Sequence, residues 1–521
     1  MPGEPLILTQ IRLAELISAL SVATDLGMGQ PLEFALCTNV LAVRLGEALK
    51  LNEEELREVY YLALLRHIGC NAETYKMAAV IGDELALRRE VASIDTRNLP
   101  QVMGLVQRLV RQANTNSNPL QLAMTLVRDI ATFPVLMRGE FAGFCEVAQR
   151  LAERLGFGEG IVHALGQAYE RWDGKGMPAG LRGEQIARSV HLVSLAQDVI
   201  TFFRLGGPEA AVNMVRERTG KAYHPQIAEQ FCLHSGALLA GLEEEPSWEL
   251  VLSLEPGKRL FLSESQFEEA CLAIADFADI KSPYTVNHSR TVAELVEQAA
   301  CRYGLPQSDA VILRRAGWLH DVGQVGISAG IWGKTGVLSG SDWEKVRLHT
   351  YYTERILARP APLARIGRLA SHHHERLDGS GYHRNLSSGL PPAVMLLAVA
   401  DMYRALLEDR PHRAAFSPEA AALELSKEVK RGRLDADAVR AVLEVAGHSP
   451  EVSGTHGNGL TGRELEVIRL IARGHTMKQM AALLSISEKT VDNHIQRIYT
   501  KIGVSTRAGA TLYAMEHNLL K

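Results

Sequence analysis

No apolar run in this sequence approaches the roughly 18 to 20 residues needed to span a bilayer. The first residues, Met1-Pro-Gly-Glu-Pro5, lack a basic segment followed by an apolar core. The chain therefore reads as cytoplasmic, with no membrane partner. Aromatic residues are few, at 6%, and the six cysteines, at 37, 70, 145, 232, 271 and 301, form no paired short spacings. That scatter excludes a disulfide framework and a structural zinc cluster and leaves reduced, mostly buried thiols. Neither sign of charge is in large excess: the formal charge is −4, with 46% hydrophobic residues, as in an ordinary soluble globular protein. The chain as a whole has no electrostatic affinity for nucleic acid, so any basic surface must be local.

At 521 residues the chain is long enough for roughly three or four domains of about 100 to 200 residues each. From Ile11 to about Phe231 apolar residues recur at helical spacing, as in Leu13, Leu16, Ile17 and Leu20, with almost no alternating signal. A break follows at Glu243-Glu-Glu-Pro-Ser247. Trp248 to Leu262 then alternates around a Pro256-Gly257 turn and reads as a short hairpin linker. Helical periodicity resumes near Glu264 and runs to about Gly447, where a polar, glycine-rich tether leads to a last domain starting at Leu460. The fold class expected is all-α, with boundaries at 1–240, 241–262 (linker), 263–447, 448–459 (linker) and 460–521.

The two large segments carry the same landmarks in the same order. Pro283-Tyr284, His320-Asp-Val-Gly323, Glu375-Arg-Leu-Asp-Gly-Ser-Gly381 and Ala398-Val-Ala-Asp401 answer to four stretches of the first half. These are Pro31-Leu32, Arg66-His-Ile-Gly69, Glu170-Arg-Trp-Asp-Gly-Lys-Gly176 and Leu195-Ala-Gln-Asp198. Gly69 and Asp173 are 104 positions apart, whereas Gly323 and Asp378 are 55 apart. The difference of 49 is an insertion in the first copy, expected between Asn71 and Thr132.

The second copy gathers His288, His320, Asp321, His349, His373, His374 and Asp401. Seven ligands are too many for one ion. They suit a pair of ions bridged by Asp321, with an activated water as nucleophile and a phosphodiester as the natural electrophile. Adjacent histidines such as His373 and His374 cannot share one narrow helix face but can reach two neighbouring ions near a helix end. For any one of these residues alone, a satisfied polar side chain in a helix is the simpler reading; burying all seven without metal is costly.

These residues resemble the HD-GYP family of metal-dependent phosphodiesterases over about Ser263 to Glu428. The match includes Lys281-Ser-Pro-Tyr-Thr-Val-Asn-His288, His320-Asp321, Gly333-Lys-Thr-Gly336 followed by His349, His373-His-Glu-Arg-Leu-Asp-Gly-Ser-Gly-Tyr382, and Val399-Ala-Asp-Met402 with Asp409-Arg-Pro411. The resemblance implies tandem HD-type helical domains and hydrolysis of cyclic di-GMP or a related cyclic dinucleotide at an iron or manganese centre. It places the seven residues above on ligand positions and Asp321 and Gln324 in catalysis. It assigns substrate contacts to Gln324, Lys334, Arg376, Asp378, Gly381 and Tyr382. Three positions depart from the family pattern. Gln324, a neutral donor, stands where the family has a phosphate-holding lysine; His383 replaces the proline after Gly-Tyr; and Tyr284 occupies the place of a glutamate ligand in trinuclear members, so two divalent metals are expected. In the first copy, Arg66-His67 and Ala168-Tyr169 replace the metal pairs and only Asp198 keeps its identity, so no metal pair is expected. Asp173-Gly-Lys-Gly176 reads there as a retained turn in a sensing or dimerising half. Cys37 and Cys70 lie near lost ligand positions, which permits redox sensing, although such thiols are usually just buried.

Leu460 to Lys521 breaks the charge balance, with nine basic against five acidic residues. Thr461-Gly-Arg-Glu464 is a capping box. A helix with Leu465, Val467, Ile468 and Ile471 inward follows, ending at Gly474. Next come a short helix over Met477 to Leu484, a turn at Ser485-Ile-Ser487 and a longer helix over Glu488 to Ile502 with Val491, Ile495 and Ile498 inward. Such a pair places its second helix in a major groove. The segment resembles the LuxR-type helix-turn-helix, through Leu460-Thr-Gly-Arg-Glu-Leu-Glu-Val467, Ser487-Glu-Lys-Thr-Val491, His494 and Lys501-Ile-Gly-Val-Ser-Thr-Arg507. The resemblance implies a small four-helix domain that binds DNA as a homodimer through Lys489, Thr490, Asn493, Gln496, Arg497 and Lys501. Amides can read base edges and the cations suit phosphates. The whole reads as a one-component transcriptional regulator with a cyclic-nucleotide phosphodiesterase domain. The alternative is a non-enzymatic DNA-binding transcription factor whose HD-GYP module senses a nucleotide or metal.

Overall fold

The computed structural model describes residues 11–113 apart from 73 and 96–98, residues 139–448 apart from 244–247, 383, 385 and 387–388, and beyond these 460–472, 475–502, 504, 510, 514 and 519. Among them the architecture is helical throughout and no strand occurs beyond isolated bridges, which meets the all-α expectation. No described helix is long and apolar enough to cross a membrane. The 449–459 tether, Gly474, His383 and the fourth helix of the last domain lie outside the described residues.

The repeat has a structural counterpart. In the first half the helix Phe34–Ala48 packs on Glu53–Leu65 and on Arg188–Arg218, which carries Asp198; in the second, His288–Tyr303 packs on Gln307–Leu319 and on Pro392–Leu406, which carries Asp401. Each central helix ends at the pair of interest, Arg66-His67 or His320-Asp321. Helix starts are set by side-chain caps, which satisfy amides that the first turn leaves unpaired. Asn52 accepts from the Glu55 amide, Ser263 from Gln266, Ser339 from Asp342 and Ser417 from Ala420. The helix Arg188–Arg218 is interrupted at Gly206 and Gly207, where φ reaches 74° ahead of Pro208.

The two halves share one apolar core, continuous from Ile11 to Leu443. The helix Leu13–Gly27 of the first half packs on the second half's Gly340–Leu357 and on the 3₁₀ turn Val322–Gly326. Polar contacts reinforce the seam: Asn71 Nδ2 donates to the Phe277 carbonyl at 3.3 Å, and Arg154 joins Glu269 and Asp276 at 2.8 and 2.5 Å. The insertion of the first copy supplies Thr74–Ile81, Glu84–Val91 and Leu99–Ala113; Asp83 caps the second of these, and the first two lie against the second half.

The segment Trp248 to Leu262 is not a hairpin. Trp248–Ser253 is a short helix with Val251 buried, and beyond the Pro256-Gly257 turn the chain pairs with residues near the start. The Leu13 amide donates to Leu260 and the Leu262 amide to Ile11, at 2.8 and 3.0 Å. The alternation thus came from a pairing distant in sequence. Glu255 locks it: its carboxylate accepts from Arg12 and, at 2.5 Å, from the Tyr61 hydroxyl, all within the core.

The last domain has a separate core of Leu460, Leu465, Val467, Ile468, Ile471, Met480, Val491 and Ile498, with Ile495 half-buried beside it. The capping box forms, with the Thr461 amide 2.7 Å from Glu464 Oε2. Ser485 adopts the left-handed conformation, φ 52°, that reverses the chain between the two helices.

Replacing Glu255 by Ala leaves the buried Arg12 guanidinium without its counter-charge, a loss of about 3–5 kcal/mol for a buried pair. The expected outcome is a lower urea midpoint for the first cooperative unfolding transition, read by circular dichroism.

Candidate metal centre

All seven predicted ligands meet at one place in the second half. His288 opens its helix, His320 and Asp321 follow the end of Gln307–Leu319, His349 lies in Gly340–Leu357, His373 and His374 follow Ala361–Ala370, and Asp401 faces them from Pro392–Leu406. Asp321 is central. Its Oδ1 is 3.6 Å from His349 Nε2 and 3.5 Å from His373 Nε2, while Oδ2 is 3.2 Å from His320 Nε2 and 3.9 Å from His288 Nε2. Asp401 Oδ1 lies 3.2 Å from His288 and 3.8 Å from His320, and its Oδ2 lies 3.9 Å from His374 Nδ1. Two sets of ligand atoms result, His349–His373–His374 and His288–His320–Asp321, each compact enough to hold one ion. His373 and His374 do not diverge toward separate ions: their ring centroids are 4.1 Å apart and both join the His349 set.

The tautomers favour metal ligation. Nδ1 of His320, His349 and His373 each lies 2.6–2.7 Å from the carbonyl three residues earlier, at Gly317, Val346 and Ala370. A carbonyl only accepts, so these Nδ1 atoms carry the protons and the Nε2 lone pairs point inward. His349 and His373 then set two lone pairs against each other at 3.2 Å. His320 Nε2 and Asp321 Oδ1 are buried with no hydrogen-bond partner. Each unmade bond costs about 1–3 kcal/mol, and a cation between these atoms satisfies all of them. The residues present therefore fit a pair of divalent ions. The pocket is electronegative: burial pushes His288 down, but Asp401 and Glu408 outweigh it and hold it up at about 10. Burial, aided by the imidazoles of His373 and His320 against the opposing pull of Asp321, drives His349 down to about 4.

Glu408 was not legible as part of the site. Both its oxygens lie 2.9–3.0 Å from His288 Nδ1, so it orients that imidazole as the backbone carbonyls orient the others. The only sequence signal was its place just before the Asp409-Arg-Pro411 landmark.

The predicted substrate residues differ in their surroundings. Tyr382 stacks on His374 with centroids 4.3 Å apart, and Gln324 is half-buried on the turn after Asp321. Lys334 is exposed and paired with Asp342 at 2.6 Å; Arg376 donates to the carbonyls of His373 and Glu375. Asp378 is occupied by its own turn, accepting from the Ser380 amide at 3.0 Å, and by Arg433 at 3.3 Å. Gly381 lies against Glu375, where a Cβ would come within 2.7 Å of the Glu375 Cα. The buried Glu375 carboxylate in turn accepts from the Arg384 and Leu386 amides.

The first half repeats this loop without the ligands. Glu170 accepts from the amides of Ala179, Gly180 and Leu181, Asp173 accepts from Lys175, and a Cβ on Gly176 would run into Glu170. The Glu-Arg-x-Asp-Gly-x-Gly pattern therefore builds a stapled turn in both copies. At the position of the metal centre the first half holds a protein-only network. Tyr169 bonds Cys70 Sγ at 2.7 Å, His67 bonds Gln197 at 2.8 Å, and Asp198 is held by Arg218 and Tyr223. Burial pushes the Cys70 thiol up and Cys37 to about 11, so both stay protonated.

In the last domain Lys489, Asn493, Gln496 and Arg497 project from the helix Glu488–Ile502 as exposed side chains, and Thr490 is half-buried against Ser487. Lys501 differs: its ammonium is 2.7 Å from the buried Glu464 carboxylate and ties this helix to the first.

Residues 273–438 match the HD domain family model, and residues 458–514 match that of the luxR family of bacterial regulatory proteins. The chain is 27% identical over 444 residues to 3'3'-cGAMP-specific phosphodiesterase 3 of Vibrio cholerae serotype O1, covering 84% of this chain and 95% of that one. It is 32% identical over 170 residues to a cyclic di-GMP phosphodiesterase of Thermotoga maritima, covering 30% and 46%. Its fold matches a crystal structure of a cyclic GMP-AMP-specific phosphodiesterase of V. cholerae with a TM-score of 0.56 at 24% identity, over 85% of this chain and 99% of the other.

Because the two stapled turns are built alike, Gly176→Ala and Gly381→Ala are expected to destabilise the chain comparably, by about 1–3 kcal/mol each as overpacking does. Thermal denaturation of the two variants side by side measures this.

Proposed function

We propose that the second half, residues 263–447, is a metal-dependent phosphodiesterase acting on a cyclic dinucleotide, and that residues 460–521 bind DNA in the same polypeptide. Residues 1–240 would then serve as a regulatory or dimerising half, with 241–262 and 448–459 as connections, in a homodimeric cytoplasmic regulator of transcription. The observation that carries the catalytic reading is the Asp321 carboxylate between two converging sets of imidazoles, with lone pairs facing inward and no protein partner for His320 Nε2 or Asp321 Oδ1. Nitrogen and carboxylate donors of this kind favour iron or manganese, and Asp321 is the residue that would bridge the two ions. Bound there, the ions supply Lewis acidity toward phosphate oxygens and acidify water.

The remaining work falls to this chain's own side chains. Glu408 and the three backbone carbonyls orient the ligand imidazoles. Tyr382, stacked on His374, closes one side of the centre, and Gln324, Lys334 and Arg376 would meet phosphate. The 3'3' hybrid of GMP and AMP is the first substrate to test, since the relative named for it aligns over most of both chains. A second reading, in which the module senses a nucleotide or metal without turnover, is favoured by Gln324, whose neutral amide cannot match an ammonium facing phosphate.

Purified protein loaded with manganese or ferrous iron is expected to linearise 3'3'-cGAMP or cyclic di-GMP, and Asp321→Ala to abolish turnover and most bound metal. Elemental analysis and nucleotide chromatography measure both, and metal-loaded wild type that leaves both dinucleotides intact would leave only the sensing reading. For DNA, Lys489→Ala and Arg497→Ala are each expected to reduce the slope of log affinity against log salt by about 1, as for one lost phosphate contact.

A further inference from the structure

The turn that follows Asp321 is held from the other half of the chain. Glu84 begins the second helix of the first-copy insertion, and its side chain is completely buried. Its carboxylate accepts from Ser328 Oγ at 2.7 Å and from the Ala329 amide at 2.9 Å, and lies 3.4 Å from Lys281 Nζ. Lys281, itself buried, donates to the Val325 carbonyl at 2.6 Å. One carboxylate thus fixes the chain at residues 325, 328 and 329, between Gln324 on one side and Lys334 on the other.

The surrounding contacts are equally close. A Cβ on Gly330 would run into the Gly82 carbonyl, and one on Gly333 would come 2.8 Å from the Tyr75 ring. That ring stands edge-on to Tyr284 at 5.9 Å, four positions before His288. Burial pushes Lys281 down to about 8, and burial of Glu84 is outweighed by Lys281 and its hydrogen bonds, which hold its carboxyl below the usual range. A fully buried ion pair contributes little net stability against an apolar pair, but it places its neighbours with high directional precision.

We propose that Glu84 is a positioning residue for the second half's reaction: through Ser328, Ala329 and Lys281 it holds residues 322–334 where Gln324 and Lys334 meet the substrate phosphate. The first half, which lacks the ligand set, thereby contributes a structural element to the site of the second. The clause about phosphate rests on the phosphodiesterase reading; the clause about the loop does not.

The test uses the manganese-loaded full chain and the variants Glu84→Gln and Ser328→Ala. In Glu84→Gln, amide hydrogen exchange across 322–334 is expected to quicken about tenfold, and less in Ser328→Ala, while the helix His288–Tyr303 and the metal content stay unchanged. KM for the cyclic dinucleotide is expected to rise about tenfold with kcat little altered, as for lost positioning of a binding group. Unchanged exchange across 322–334, or exchange that quickens equally in the His288 helix, overturns the proposal. If Glu84→Gln does not fold, Ser328→Ala decides by the same comparison. If wild type turns over no dinucleotide, the phosphodiesterase reading fails while the exchange result still decides the role of Glu84.

Discussion

A single carboxylate, that of Asp321, sits where the second half converges, and the arrangement around it makes sense only with positive charge between its oxygens and the imidazoles. Five histidines and a second aspartate approach it from five helices or helix ends. The outward nitrogens of four of the histidines are committed to carbonyls or to Glu408, and His320 Nε2 and Asp321 Oδ1, which face inward, have nothing in the protein to bond. Buried polar atoms are rarely left this way without a purpose. The helices that carry them are packed into a continuous core, and that packing is what brings lone pairs together that would otherwise repel.

The first half shows the same scaffold relieved of that demand. Its central helix ends at Arg66-His67 and its stapled turn survives at Glu170 to Gly176, but the side chains between them bond one another: Tyr169 to Cys70, His67 to Gln197, Asp198 to Tyr223. The stapled turn belongs to the fold and the ligands do not. The same comparison reassigns Asp378, which does in the second copy what Asp173 does in the first, and closes its own turn. The inserted helices of the first half meanwhile reach the loop beside the second half's ligands, so two copies that look independent in sequence share one wall of the site.

Much of this was legible in the chain. Helical periodicity, the capping box at Thr461, the repeat and the seven predicted ligands are local or ordered patterns that a linear reading can find. Other features were not legible because their partners are remote. The alternation from Trp248 to Leu262 looked like a hairpin because two-residue periodicity does not say what a segment pairs with, and its partner proved to be residues 11–13, some 250 positions away. Lys501 looked like a phosphate contact because a lysine on an exposed helix usually is one; only the neighbouring helix reveals Glu464 beneath it.

What the sequence by itself determined is the chemistry on offer: a helical chain with two copies of one order of landmarks, one cluster of imidazoles and carboxylates, and a basic last domain. Residue type and spacing along a helix suffice for that, since both are properties of the chain alone. Only the tertiary structure decided which oxygen of Asp321 faces which histidine, that Glu408 orients His288, and that Glu84 reaches across from the first half to hold the loop at Ser328. Those depend on distances between segments up to 244 residues apart, which core packing sets and no local pattern encodes.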